Sequence, residues 1–94
     1  MVSPFEVTAP KARWSLIDVL IEKEQWSLAI GTWDKEKCLV CRWNGDKEEG
    51  SKGNPVSHGQ PTWFVLPDEF IEALLPLIPA EKRPLVDALL RKAA

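Results

Sequence analysis

The chain has no tyrosine, one histidine and two cysteines among its 94 residues, and each scarcity narrows what it does. Two cysteines are too few for a disulfide scaffold, which points to a reducing cytoplasm. A single histidine, His58, leaves no second imidazole to complete a metal triad or to orient a general base. No uninterrupted apolar stretch approaches the ~20 residues that cross a bilayer, so no membrane partner is expected. The opening residues, Met1 to Glu6, lack a basic segment leading into an apolar run and do not read as a secretory signal. A Gly-rich phosphate loop and a Ser/His/Asp arrangement are also missing, so the expectation is a non-enzymatic protein with no cofactor.

Charge of one sign is lacking as well. The net charge is -2 with a pI near 5.4, which gives no overall pull toward phosphates or an anionic membrane. Between positions 34 and 53, Lys35, Lys37, Arg42, Lys47 and Lys52 are interleaved with Asp34, Glu36, Asp46, Glu48 and Glu49, so any basic patch must be local.

What the chain does have is enough apolar material for one core: 45% hydrophobic against 28% charged, in the size range of a single domain. Residues 1–12 contain Pro4 and Pro10 and no periodicity, and read as an extended arm that Phe5 and Val7 anchor. From Arg13, the alternation sets Ser15, Ile17, Val19 and Ile21 on one face of a strand and Trp14, Leu16, Asp18, Leu20 and Glu22 on the other. A helix over residues 14–25 also fits Leu16, Ile17, Leu20 and Ile21; β-branching and the charged tetrad Glu22 to Gln25 favour a strand and hairpin loop. Trp26, Leu28 and Ile30 mark a second half-buried strand, in which Gly31 signals a bulge or a close backbone approach. A turn at residues 34–37 leads into a third strand, Cys38 to Trp43.

A long loop follows over residues 44–61, with Gly53-Asn54-Pro55 and Gly59-Gln60-Pro61 inside it. Thr62 to Leu66 reads as a fourth strand. Pro67, Asp68 and Glu69 start a helix with Phe70, Ile71, Leu74 and Leu75 on its apolar stripe, ended or kinked by Pro76 and Pro79. A second helix from Pro84 carries Leu85, Val86, Leu89 and Leu90 on one face, with Arg91 and Lys92 in its last turn. The expected fold is α+β: a four-stranded antiparallel meander followed by one or two C-terminal helices, all in one domain over residues 13–94.

Two constellations invite chemistry. Cys38 and Cys41 have the spacing of a zinc half-site or redox pair, but i and i+3 on a strand point to opposite faces, which favours two buried small hydrophobes. The five tryptophans, Trp14, Trp26, Trp33, Trp43 and Trp63, are spread over all four proposed strands. Most belong to the core. Trp33 lies on the face opposite Trp26, Leu28 and Ile30, which makes it a candidate exposed ring, and Trp43 sits at a strand end beside Arg42. Exposed rings next to Lys35, Lys37, Arg42 and Lys52 form the pattern of a stacking platform with phosphate neighbours.

From Trp26 to about Ile78 the order of elements resembles the positive-cofactor type of transcriptional coactivator. The resemblance is carried by Arg42-Trp43, a Gly- and Lys-containing loop, and Trp63-Phe64-Val65-Leu66 running into Pro67-Asp68-Glu69-Phe70. It implies a β-β-β-β-α protomer that dimerises and binds single-stranded DNA. The chain departs from that family's lysine-rich glycine turn, where it has His58-Gly59-Gln60-Pro61, and from its helix-capping hydroxyl, where it has Leu66. Arg42-Trp43-Asn44-Gly45 with Gly59 to Pro67 is also similar to a family of short bacterial proteins without an assigned activity. The expected function is therefore a homodimeric single-stranded nucleic-acid-binding module using Trp33, Lys35, Lys37, Arg42, Trp43 and Lys52. The alternative is a protein-interaction module that docks through residues 53–61 and the C-terminal helices.

Overall fold

The computed structural model describes residues 1–48 and 50–93, the last three by their backbone only. The side chains of Arg91 and Lys92 thus lie outside the described residues. Three long strands, β1 (Trp14–Glu22), β2 (Trp26–Trp33) and β3 (Glu36–Trp43), are followed by the short β4 (Val56–Ser57), β5 (Gln60–Pro61) and β6 (Phe64–Val65). Two α-helices complete the chain, α1 (Ile71–Leu74) and α2 (Arg83–Ala93). The main sheet is antiparallel in the order β1-β2-β3-β6, and β4 and β5 form a separate two-stranded ribbon. This is the α+β meander expected from the sequence.

β2 and β3 pair without interruption from Trp26↔Trp43 to Trp33↔Glu36, around a two-residue turn at Asp34 and Lys35, both at positive φ. A turn of that hand matches the natural twist of a hairpin. Strict alternation follows. Leu28, Ile30 and Leu39 face one way, into a cluster with Leu20 and Ile21 of β1, Ile71 of α1, Ile78, and Val86 and Leu89 of α2. Ala29, Cys38 and Val40 face the other way, onto Trp14, Trp63 and Val7. Both faces of the central strands are covered, so β2 is buried from Ser27 to Gly31 and half-buried only at its ends, unlike the strand with one open face that its pattern implied.

In β1 the alternation fails. The register slips between Leu16 and Asp18 and again between Val19 and Ile21, each slip an extra residue opposite β2. Ile17 is consequently exposed, while the consecutive residues Val19, Leu20 and Ile21 are all buried. Gly31 lies opposite the first slip, and the Trp14 indole fills the space its missing Cβ leaves.

Residues 1–12 are packed and only partly extended. Pro4–Glu6 form a 3-10 turn, Val7 is buried, and the Trp63 indole Nε1 donates to the Val7 carbonyl at 2.8 Å. Phe5 is exposed, so of the two expected anchors only Val7 is buried, and Pro4 is buried with it. The first helical region consists of α1 flanked by 3-10 turns at Asp68–Phe70 and Leu75–Leu77, and it buries Ile71 and leaves Phe70 exposed. In α2, Val86 and Leu89 enter the core, whereas Leu85 stays at the surface.

Candidate functional site

The residues expected to bind nucleic acid divide between the two ends of the β2–β3 hairpin. Trp33, Lys35 and Lys37 lie at the turn, and Arg42, Trp43 and Lys52 at the open end; the six residue steps of β3 from Lys37 to Trp43 span about 20 Å. Trp33 is half-buried, its ring 6.4 Å from that of Trp14 and tilted by 43°, a packing contact that corrects the reading of an exposed ring. Lys35 and Lys37 are exposed. Lys35 borders a shallow opening with Lys11, Arg13 and Asp34, and Arg13 pairs with Asp34 at 3.7 Å.

Arg42 is only 3% exposed. It follows Cys38 and Val40 on the Trp63 side of the sheet, with Nη1 donating to the Thr62 carbonyl at 2.6 Å and Nη2 to the Lys52 carbonyl. Among the described residues no carboxylate pairs with it, and Nε has no acceptor. Burial pulls its pKa down. The guanidinium therefore works as a fastener for two loop segments, in place of the solvent-facing cation expected.

Those segments turn residues 44–61, expected as an open loop, into two closed excursions. The first begins and ends on Trp43, which exchanges backbone hydrogen bonds with Asn54 (Trp43 N to Asn54 O 2.8 Å, Asn54 N to Trp43 O 3.1 Å). Gly53, at φ 68°, makes the crossing possible, since a Cβ there would collide with the Trp43 carbonyl oxygen. The second is the β4–β5 ribbon, turned by His58 and Gly59 at positive φ and closed by Thr62 N donating to Pro55 O at 3.0 Å. Exposed His58 is thus a turn residue, and the Lys52 Nζ donates to the neighbouring Gly59 carbonyl.

Asn44 braces the same end from beneath. Ser27 Oγ donates to its Oδ1 at 2.9 Å, its Nδ2 donates to Lys23 O at 2.9 Å, and its backbone carbonyl accepts from Val2 N. A buried amide held on all sides fixes the β1–β2 turn, the N-terminal segment and the exit of β3 as one unit.

On that scaffold sits an open groove of about 540 Å³. Its sides are Trp26 and its cross-strand partner Trp43, with Phe64 on β6 beside Cys41, and Asn54 and Pro55 closing the far wall. Trp43 and Phe64 are 59% and 58% exposed. Sequence reasoning singled out Trp43 alone of the three rings. Cys41 lies in the groove against the helix-side core, with Cys38 on the other face, so the two sulfurs diverge as expected for a strand. Burial pushes the Cys41 thiol up, away from a reactive thiolate.

Among the described residues no three His, Cys, Asp or Glu side chains cluster as metal ligands, and no helix is long and apolar enough to cross a membrane. The chain matches no protein-family model, no curated protein and no solved structure.

Proposed function

We propose that the chain is a non-enzymatic binding module whose groove, bounded by Trp26, Trp43 and Phe64, docks a segment of a partner protein. The supporting observation is the convergence of three aromatic rings on a braced surface where, among the described residues, the one charged lining residue, Arg42, has both terminal nitrogens engaged. Aromatic rings that are exposed on a braced surface have the character of interface anchors. Phosphates would need free cations along such a surface. A random-sequence peptide library panned against the wild-type chain, with Trp43→Ala as counter-selection, tests this. The expected result is a peptide that shifts the Trp26 and Trp43 indole N–H resonances in NMR spectra; no Trp43-dependent peptide would remove the proposal.

A second reading, the homodimeric single-stranded nucleic-acid binder, is favoured by one observation at the opposite end of the hairpin. Lys11, Arg13 and Lys35 border a single opening there, with Lys37 exposed nearby. Oligothymidylate binding at low salt that is lost in Lys35→Glu/Lys37→Glu would support it; binding unaffected by both changes would not.

A further inference from the structure

We infer that the groove takes a neutral, proline-rich segment in the polyproline II conformation. This rests on the reading of the groove as a protein-docking site and adds the chemistry of the partner. Charge selects first. Trp26, Cys41, Trp43, Asn54, Pro55 and Phe64 carry no formal charge, and the Arg42 guanidinium is committed to the Thr62 and Lys52 carbonyls. A charged segment laid on those rings would lose hydration and meet no free counter-charge among the described lining residues of the groove, Asp46 and Lys52 lying in the adjoining hollow. The partner segment is therefore uncharged where it enters.

Area selects next. A fully covered aromatic side chain buries about 150–250 Å², so the exposed parts of Trp43 and Phe64 together offer about 250 Å². A stable dimer needs roughly 800 Å² from each partner. A second copy of this chain seated on the groove alone falls well short, and a short linear segment fits the scale.

Hydrogen bonding then distinguishes among neutral segments. The Trp43 indole N–H has no acceptor among the described residues, and the side-chain amides of Gln25 and Asn54 are likewise unengaged. Gln25 borders a polar hollow that shares Trp43 and Asn54 with the groove and also holds Asp46 and Lys52, one charge of each sign, so residues bearing these donors lie beside the apolar surface. Polyproline II has no internal hydrogen bonds and presents its carbonyls outward, while its rings repeat every third residue. An aromatic-walled groove edged by donors matches both features, and the segment is ordered before it binds, so little conformational entropy is lost. A helix keeps most of its carbonyls in internal hydrogen bonds, and an extended strand, though its carbonyls are free, brings N–H donors of its own that need acceptors and loses more conformational entropy on ordering.

The test uses the full 94-residue chain and its own tryptophan fluorescence, titrated to ~1 mM with decaproline blocked at both ends. A blocked Ala/Gly decapeptide and an oligothymidylate are run alongside. The expected result is a saturable change with decaproline only, weakened about tenfold or more by Trp43→Ala and by Phe64→Ala and unchanged by Phe5→Ala, which alters an exposed ring outside the groove. Circular dichroism confirms that each variant is folded, and Phe64→Ala serves if Trp43→Ala is not. Absence of saturation with decaproline, binding that survives both groove variants, or oligothymidylate displacing decaproline would each overturn the inference. If decaproline fails while a proline-free library peptide binds in a Trp43-dependent way, the docking reading stands and the proline-rich partner falls. If neither binds, both fall.

Discussion

Arg42 and Thr62, twenty positions apart, are joined by a 2.6 Å hydrogen bond from the guanidinium Nη1 to the backbone carbonyl, and the same side chain holds the Lys52 carbonyl with Nη2. One residue near the end of β3, paired with Ser27, thus sets the position of both loop excursions, and Asn54 and Pro55 of the groove lie between its two attachment points. The shape of the apolar site depends on a lining cation whose terminal nitrogens are spent on the loop carbonyls.

Replacing Arg42 with Lys should therefore lower stability by about 3 kcal/mol, because one ammonium cannot span both carbonyls and a buried charge is left poorly solvated. Urea denaturation measures it. The expectation includes faster amide exchange at Thr62 and Asn54, whose backbone groups close the excursions. A change under about 0.5 kcal/mol, the range of an ordinary surface substitution, would show that the guanidinium contacts do not hold the loops.

Gly31→Ala tests the packing on the other face. The added methyl falls on the Trp14 indole and the Ser15 carbonyl, so the ring must leave its place against Trp33 and Trp63. Overpacking of this kind costs about 1–3 kcal/mol. The diagnostic measurement is a double-mutant cycle with Trp14→Leu: the penalty of the methyl should shrink once the indole is gone. Equal penalties in both backgrounds would trace the cost to the Ser15 backbone instead.

Much of this architecture is legible in the sequence where the chain is regular. Trp26, Leu28 and Ile30 alternate cleanly because β2 is paired on both sides and cannot slip without misplacing every side chain. β1 is an edge strand, and its two bulges answer to Gly31 and to the tertiary seat of Leu20 and Ile21, contacts that no period-two pattern contains. Arg42 carried a readable signal that its charge obscured: it continues the inward series Cys38, Val40. The groove was hidden by a turn length. Reading residues 34–37 as the turn leaves the register open, whereas the two-residue turn at Asp34 and Lys35 places Trp26 directly opposite Trp43. Phe64 joins them only through the β3–β6 pairing, and closure of residues 44–61 depends on long-range contacts of Gly53 and Arg42, beyond the reach of local pattern.

Asn44→Asp keeps the size of the side chain and removes its donor. A carboxylate would face the Lys23 carbonyl, which now accepts from Nδ2 at 2.9 Å, and would be buried without a counter-charge. A loss of about 2–4 kcal/mol is expected at neutral pH. That loss should shrink on acidification as the carboxyl takes up a proton and regains a donor. Thermal melts at neutral and acidic pH, wild type beside variant, follow it; a pH-independent difference would mean that size and shape alone account for the effect.

Cys41 supplies a pH-dependent reporter inside the groove. Burial raises its pKa relative to the unfolded chain, so the neutral thiol is the form the folded state favours. The associated stability is complete below the ordinary thiol range of about 8.5 and is lost as pH rises through the higher folded value. Two outcomes follow. Stability should decline above that range less steeply in Cys41→Ala than in the wild type. Alkylation of Cys41 at neutral pH should also be slower than that of a free thiol, and slower again with decaproline present, because Cys41 lines the surface the peptide would cover. Mass spectrometry of the modified chain separates Cys41 from the buried Cys38 on the opposite face. A Cys41 thiol that reacts at the free rate, with or without peptide, would place its sulfur in open solvent and dissociate it from the site.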